Sequence, residues 1–404
     1  MKKSLALLVA LLATLALMPA LAQQELAGDG SRRSTPKFHR KGARAIPNQY
    51  IVVLDQDAVG VSGDFAAAVR ETDSVLAALG RAPDHVFAHA INGFSATMTE
   101  HEALALSEDP RVAFVEEDQI MEAVATQTNP PWGLDRIGQR DLPLNQTYSY
   151  TTTGAGVHAY IIDTGIRSTH TQFTGRMGNG AGFVNDGQGT NDCHGHGTHV
   201  AGTVGGTTYG VAKGVTLHAV RVLSCSGSGS NSGVISGVNW VTQNRINPAV
   251  ANMSLGGGIS TALDTAVANS IASGVTYAIA AGNSNTNAAN SSPARVAAAI
   301  TVGSSTQTDA RSSFSNFGSV VDIFAPGSSI LSAWRTSNTA TATLSGTSMA
   351  APHVAGVAAR IKQSNPGASP ATVRNEIVNT ATLNHLSGIP SGTANRLLFR
   401  SSTQ

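Results

Sequence analysis

A chain of 404 residues with 13% charged residues, a formal net charge of +1 and two cysteines is long enough to bury a sizeable core. It has neither the basic stripe nor the aromatic-and-basic platform of a nucleic-acid binder, and beyond the N-terminus no segment is long and apolar enough to span a bilayer. Neither nucleic acid nor membrane is expected as a partner.

The N-terminus reads as an export signal. Lys2 and Lys3 precede an apolar run from Leu5 to Met18 and then Ala20-Leu21-Ala22, a small-residue cleavage site, so residues 1–22 are taken as a signal peptide and the product as secreted and extracellular. Charge then divides unevenly. Residues 23–124 hold 9 Lys/Arg against 16 Asp/Glu, and residues 125–404 hold 15 against 9. Opposite net charges favour association of two parts of a chain, although solvated charged faces give the same counts. Residues 23–45 mix Arg32, Arg33, Lys37, Arg40 and Lys41 with Gly, Ser and Pro and read as a flexible leader. In residues 46–124, Tyr50 to Leu54 forms a β-branched strand and Phe65 to Leu79 has helical spacing. Phe94 to Met98 alternates like a strand, a short helix spans Glu100 to Ser107, and a strand runs from Val112 to Val115. This is read as a small α+β, ferredoxin-like βαββαβ unit.

From residue 125 onward strands and helices alternate, the pattern of an α/β domain with a parallel, helix-covered sheet. Val157 to Ile162 is an apolar run suited to a strand buried on both faces, and it ends at Asp163, where open parallel sheets place functional groups. An Asx turn closed by Thr164-Gly165 accounts for that Asp alone equally well. The Gly-rich loop Gly187 to Gly195 leads into a helix from His196 to Val204. His194, His196 and His199 lie close together, which admits a zinc reading, but the glutamate of a metalloprotease helix is missing. Ser348 opens an apolar helix to Gln363, with Pro352 near enough to its start to be tolerated. Free N–H groups and the positive helix end beside Ser348 suit a developing oxyanion, whereas a plain N-cap serine is the bland alternative.

Three strings stand in the order Asp, His, Ser: Asp163-Thr164-Gly165, His196-Gly197-Thr198-His199, and Gly346-Thr347-Ser348-Met349-Ala350-Ala351-Pro352-His353. A serine hydroxyl becomes a nucleophile when an imidazole takes its proton and a carboxylate orients the imidazole, and this order is that of subtilisin. Pro131-Trp132-Gly133-Leu134-Asp135-Arg136-Ile137, Ser254-Leu255-Gly256-Gly257-Gly258 and Ala280-Ala281-Gly282-Asn283 extend the likeness. The chain resembles the subtilisin-like serine proteases, in their proteinase K- and aqualysin-like branch, over nearly all of residues 125–404.

That resemblance implies a serine endopeptidase acting on proteins and peptides, with Ser348 as nucleophile, His196 as base, Asp163 orienting it and Asn283 donating to the oxyanion. His199 is then a packed helix residue. Gly227-Ser228-Gly229 and Ser254-Leu255-Gly256 match the two edges that clamp an extended peptide. Segments 254–258 and 280–283 carry no charge, in line with the family's broad, apolar and aromatic preference. Residues 23–124, through their position and strings such as Asn92-Gly93-Phe94-Ser95-Ala96, resemble the family's inhibitor-type propeptide, an intramolecular chaperone and inhibitor. The resemblance further implies self-cleavage between Val124 and Ala125, a Cys193–Cys225 disulfide, and structural calcium at Asp322 with backbone oxygens of Ala297 and Ala299. It implies no organic cofactor, and a monomer is expected. The chain departs from aqualysin-like enzymes at Ala289 and Ser319, where those place a second cysteine pair, so extreme thermostability does not carry over.

Overall fold

The computed structural model describes residues 37–42, 45–56, 64–121 and 124–402. The expected signal peptide and residues 23–36 of the expected leader lie outside them. The chain divides into two compact units, Met1–Glu122 and Ala123–Gln404.

In the first unit the elements are β1 (Phe38–His39), β2 (Ala45–Leu54), α1 (Phe65–Leu76), β3 (His85–Phe87), β4 (Gly93–Thr97), α2 (Glu100–Ser107) and β5 (Val112–Gln119). They form one sheet in the order β1-β5-β2-β4-β3. From β2 onward the order is βαββαβ. Its second strand, β3, is only three residues long, too short to leave a periodicity. Part of the expected leader is a correction: Phe38 and His39 pair in parallel with Val115 and Glu116, because the edge of β5 has unpaired backbone groups that an extended segment satisfies. Both helices begin on the caps their sequences supply. Asp64 accepts from the Ala67 N–H at 3.2 Å, and Thr99 and Glu102 form a reciprocal capping box. Val52, Phe94, Ala96 and Val115 are fully buried between sheet and helices.

The second unit begins with β6 (Ala125–Thr128), α3 (Trp132–Ile137) and β7 (Thr147–Tyr150). Its main sheet starts with β8 (His158–Asp163), β9 (Ala181–Gly182), β10 (Thr216–Arg221), β11 (Ala249–Met253) and β12 (Thr276–Ala280). It continues through β13 (Ile300–Ser305) and β14 (Ile323–Pro326), while β15 (Ile330–Ala333) and β16 (Thr341–Leu344) make a separate hairpin. The short strands β17 (Thr382–Leu383) and β18 (Arg396–Leu397) complete the sheet order β17-β18-β14-β13-β12-β11-β8-β10-β9. All pairings in it are parallel except β17 with β18.

The helices divide between the two faces because strand side chains alternate. On β8, Ala159 and Ile161 enter one apolar cluster with Val200, Val204, Met349, Val354 and Ala358, which belong to α4 (His196–Gly205) and α7 (Thr347–Ser364). Tyr160 and Ile162 enter the other with Val234, Val238, Leu263 and Val267, from α5 (Asn231–Asn244) and α6 (Thr261–Ala272). A final helix, α8 (Pro370–Thr380), contributes Val373 and Ile377 to the first cluster.

Strand order reverses at β8. The chain passes from β8 to β10 on one side and returns to β11 on the other, so loops leaving the carboxyl ends of β8 and β11 diverge and open a crevice. Cys193, ahead of α4, is disulfide-bonded to Cys225, after β10, across a sequence separation of 32. Closing a loop of that length contributes about 3–4 kcal/mol in the chain-entropy model. Cys193→Ser/Cys225→Ser should therefore lower the unfolding free energy of the inhibited protein by that order. An unchanged denaturation midpoint would show that the bond is energetically idle.

Candidate active site

Three neighbouring strands deliver the site. Asp163 is the last residue of β8, Ser254 follows the last residue of β11, and Asn283 follows the end of β12 by three residues. These strands are adjacent and parallel, hence about 5 Å apart, and their carboxyl ends open on the same side.

Asp163 has no exposed surface. Its Oδ1 accepts from the Thr164 N–H at 2.7 Å and stands 2.7 Å from Nδ1 of His196. A buried carboxylate acts as acceptor only, so Nδ1 carries the proton and Nε2 keeps its lone pair. Burial pulls the His196 pKa down, but the charge and hydrogen bond of Asp163, together with the charge of Asp192, outweigh it and leave the pKa above 6.5.

The entry of α4 is set by Asp192. Its Oδ1 accepts from Thr164 Oγ1 and from the N–H groups of His194 and Gly195, and its Oδ2 from the N–H and hydroxyl of Thr198, all between 2.6 and 2.9 Å. It takes the N–H groups of Gly195 and Thr198 at the helix start, the Gly197 N–H going to Thr164 Oγ1 at 2.9 Å, and places a negative charge at the positive helix end. Gly195 must be glycine: its φ is +113°, and a Cβ would lie 2.6 Å from the Trp334 ring. Sequence reasoning passed over Asp192, although an Asp three residues ahead of a Gly-His helix start is an ordinary Asx signal.

The three histidines do not converge. Nε2 of His199 lies 3.0 and 3.1 Å from the carbonyls of Ile330 and Ala342, and burial pushes its pKa down to about 4. It is a neutral donor within the packing of α4 on the β15–β16 hairpin. Nδ1 of His194 accepts from the His196 N–H at 3.3 Å. Among the described residues, the one group of three metal-capable side chains is Asp186 with Cys193 and Cys225. Both sulfurs there are used in the disulfide, and Arg221 grips the Asp186 carboxylate.

Ser348 is the second residue of α7. Pro352 lacks the N–H that would bond the Ser348 carbonyl in a regular helix, and the Ser254 hydroxyl donates to that carbonyl instead, at 2.8 Å. In return, Ser348 Oγ donates to the Ser254 carbonyl at 3.1 Å. Ser254, expected at a substrate edge, thus also holds the hydroxyl of Ser348 through its backbone oxygen.

The Asn283 amide is oriented by Thr347. Its Oδ1 accepts from the Thr347 N–H at 2.8 Å and hydroxyl at 2.9 Å. Because a backbone N–H can only donate, the oxygen is assigned and Nδ2 is turned the other way. Thr347 Oγ1 also accepts from the Gly282 N–H at 3.0 Å. Thr347 is a second residue the motif reading left without a role.

Ser348, Asn283, Leu255 and Gly256 line one pocket of about 370 Å³ whose wall contains no charged residue. Leu255 and Gly256 also line a second pocket of about 290 Å³, together with Gly227, Ser228 and Gly229. The two expected peptide edges thus face a shared cavity. Val124 is 49% exposed, and Ala125 opens β6, paired with Tyr150.

Asp322 is arranged differently from its expected use. Oδ2 accepts from the Thr301 N–H at 2.9 Å, and Oδ1 is paired with the Arg374 guanidinium on α8. Burial raises its pKa although Thr301, Arg374 and Arg396 pull it down. Ala297 and Ala299 offer only backbone oxygens. Calcium takes six to eight oxygen ligands, and here it would have to displace a guanidinium from its one carboxylate. As arranged, these residues do not fit calcium.

Comparison with known proteins agrees with this geometry. The subtilase family matches residues 154–397, and the peptidase inhibitor I9 family matches residues 49–123. An "Extracellular serine proteinase" of Thermus sp. (strain Rt41A) is 50% identical, over 91% of this chain and 93% of its own length. The "Cuticle-degrading protease" of Metarhizium anisopliae is 43% identical, over 96% of this chain and 98% of its own. A crystal structure of a cold adapted subtilisin-like serine proteinase superposes with a TM-score of 0.66 at 57% identity, covering 67% of this chain and 98% of that one. Fold and site therefore define a serine hydrolase of the Asp-His-Ser order. The chain belongs to the subtilase family: it is a subtilisin-like serine protease of the proteinase K-like branch, preceded by an inhibitor I9 domain.

Two outcomes follow from the electrostatics. With His196 as the expected base, active only when neutral, kcat/KM should fall as pH drops through its raised pKa, and the residual activity of Asp163→Asn should show that limb at lower pH. A limb that stays in place would remove Asp163 as the cause of the shift. At Asp322, calcium should raise the melting temperature of inhibited Arg374→Ala more than that of wild type, and Arg374→Ala/Asp322→Asn should lose the gain. A wild-type rise that Asp322→Asn abolishes would show the ion displacing Arg374.

Proposed function

We propose that this protein is a secreted, extracellular serine endopeptidase, made as a zymogen that processes itself, with broad preference for apolar and aromatic side chains. The reading is carried by the hydrogen bond of 2.7 Å between His196 and the fully buried Asp163, formed one strand away from the Ser348 helix end. An extended peptide lies between Gly227-Ser228-Gly229 and Ser254-Leu255-Gly256, bonding through its backbone, with one side chain in the uncharged pocket.

The Ser348 hydroxyl turns from the Ser254 carbonyl to His196 Nε2, gives up its proton there and attacks the peptide carbonyl. The Ser348 N–H, an unpaired donor in the first turn of α7, and Asn283 Nδ2 hold the oxyanion. His196, as imidazolium stabilised by Asp163, returns the proton to the leaving amine, and water then cleaves the acyl-enzyme by the same relay. No step passes through calcium or an organic cofactor. The I9 domain serves as chaperone and inhibitor, and the signal (1–22), propeptide (23–124) and catalytic domain (125–404) are separated by cleavage after Ala22 and Val124. A monomer suffices for this chemistry.

Ser348→Ala and His196→Ala should each lower kcat by about a millionfold, the size of the loss when the equivalent groups of subtilisin are removed. His199→Ala, where it folds, should keep its turnover. The assignment of the base fails if His199→Ala loses turnover and His196→Ala retains it. N-terminal sequencing should find Ala125 at the start of the active enzyme and an uncut chain in purified Ser348→Ala. Normal processing of that variant would mean another protease does the cutting.

A further inference from the structure

Asn316, outside every motif noted above, is bonded on both sides of Asn283. It is 2% exposed. Its Nδ2 donates to the Ala281 carbonyl at 2.8 Å, and its backbone N–H donates to the Gly282 carbonyl at 2.9 Å. Its Oδ1 accepts from the N–H groups of Ser284 and Thr286, both at 3.0 Å. One residue, through its side chain and its backbone N–H, thus fixes the chain on both sides of Asn283. Gly282 makes the approach possible: its φ is +101°, and a Cβ there would sit 2.4 Å from Asn316 Nδ2.

The anchor is itself rigid. Ser304 N–H donates to Ser315 Oγ at 3.0 Å, the hydroxyls of Ser304 and Ser312 are 2.7 Å apart, and Phe317 N–H donates to the Thr286 carbonyl at 3.0 Å. Asn316 is therefore tied to the end of β13 and carries that position to the loop after β12. Thr347 fixes how the Asn283 amide is rotated; Asn316 fixes where its backbone stands.

We propose that Asn316 is a positioning residue for the oxyanion donor, acting on catalysis through Asn283. The proposal rests on the reading of Asn283 as that donor. An oxyanion donor acts only when it stands within hydrogen-bond reach of the place the charge develops, so a displaced backbone costs rate and leaves ground-state peptide binding largely intact.

The test is a double-mutant cycle on protein expressed as the full chain and then matured, comparing Asn283→Ala, Asn316→Ala and the double variant on a chromogenic peptide. Asn283→Ala should lose about 10²–10³ in kcat. Asn316→Ala should lose about 10–10² in kcat with KM nearly unchanged, a part of the donor's effect. The double variant should lose no more than Asn283→Ala alone, the behaviour of residues acting as one unit. A peptide aldehyde, which forms an oxyanion on Ser348, should weaken in parallel with kcat/KM, whereas the corresponding peptide alcohol should not. Should Asn316→Ala fail to fold, Asn316→Ser removes the same two-sided contact while leaving a neutral polar group in its place, and should give a kcat loss of the same order with the same lack of additivity. Additive losses, or a rise in KM equal to the fall in kcat/KM, would overturn the positioning role. An Asn283→Ala variant with normal kcat would instead overturn the reading of the donor itself.

Discussion

The bond between the buried Asp163 and His196 is the constraint around which the catalytic unit is arranged. A carboxylate without exposed surface is costly unless it is paired and hydrogen-bonded, and Asp163 has both an imidazole and the Thr164 N–H at 2.7 Å. The sheet supplies the place for it. Reversal of strand order at β8 opens a crevice at the carboxyl ends of the strands, where the strand-end Asp163 meets the helix that begins at His196. Asp192 then fixes the entry of that helix through the N–H groups of Gly195 and Thr198, and in doing so adds a second negative charge that favours the protonated form of His196.

Helix α7 meets the same crevice through a deliberate irregularity. Pro352 removes one helical hydrogen bond, and the carbonyl it frees is taken by Ser254 at 2.8 Å. The helix that carries Ser348 is thereby joined to the end of β11, while Thr347 joins it to Asn283 and so to the end of β12. Charge that develops at the substrate carbonyl would find donors fixed before the reaction begins, which is where preorganised sites gain most of their rate.

Much of this was legible in the sequence, for a physical reason. Asp163, His196 and Ser348 are fixed by the chemistry of their own side chains, so the residue types and their flanking glycines appear as short strings. The helices at His196 and Ser348 were legible from apolar spacing, and the Cys193–Cys225 bond from the family likeness. Residues that act through distant backbone groups left no such string. Asn316 reaches back to residues 281–286, and Arg374 reaches Asp322 from 52 positions away, which no local pattern encodes. Strand β3 was too short to register, and Phe38–His39 joined a sheet edge from a stretch whose composition resembled a leader.

Mass spectrometric mapping of a fluorophosphonate adduct tests the central claim most directly, because the reagent reacts with an activated serine and not with an ordinary hydroxyl. A single adduct at Ser348 is predicted, with a labelling rate that falls as pH drops through the raised pKa of His196 and collapses in His196→Ala. Labelling at another serine, or a rate at Ser348 indifferent to pH and to His196, would contradict the account.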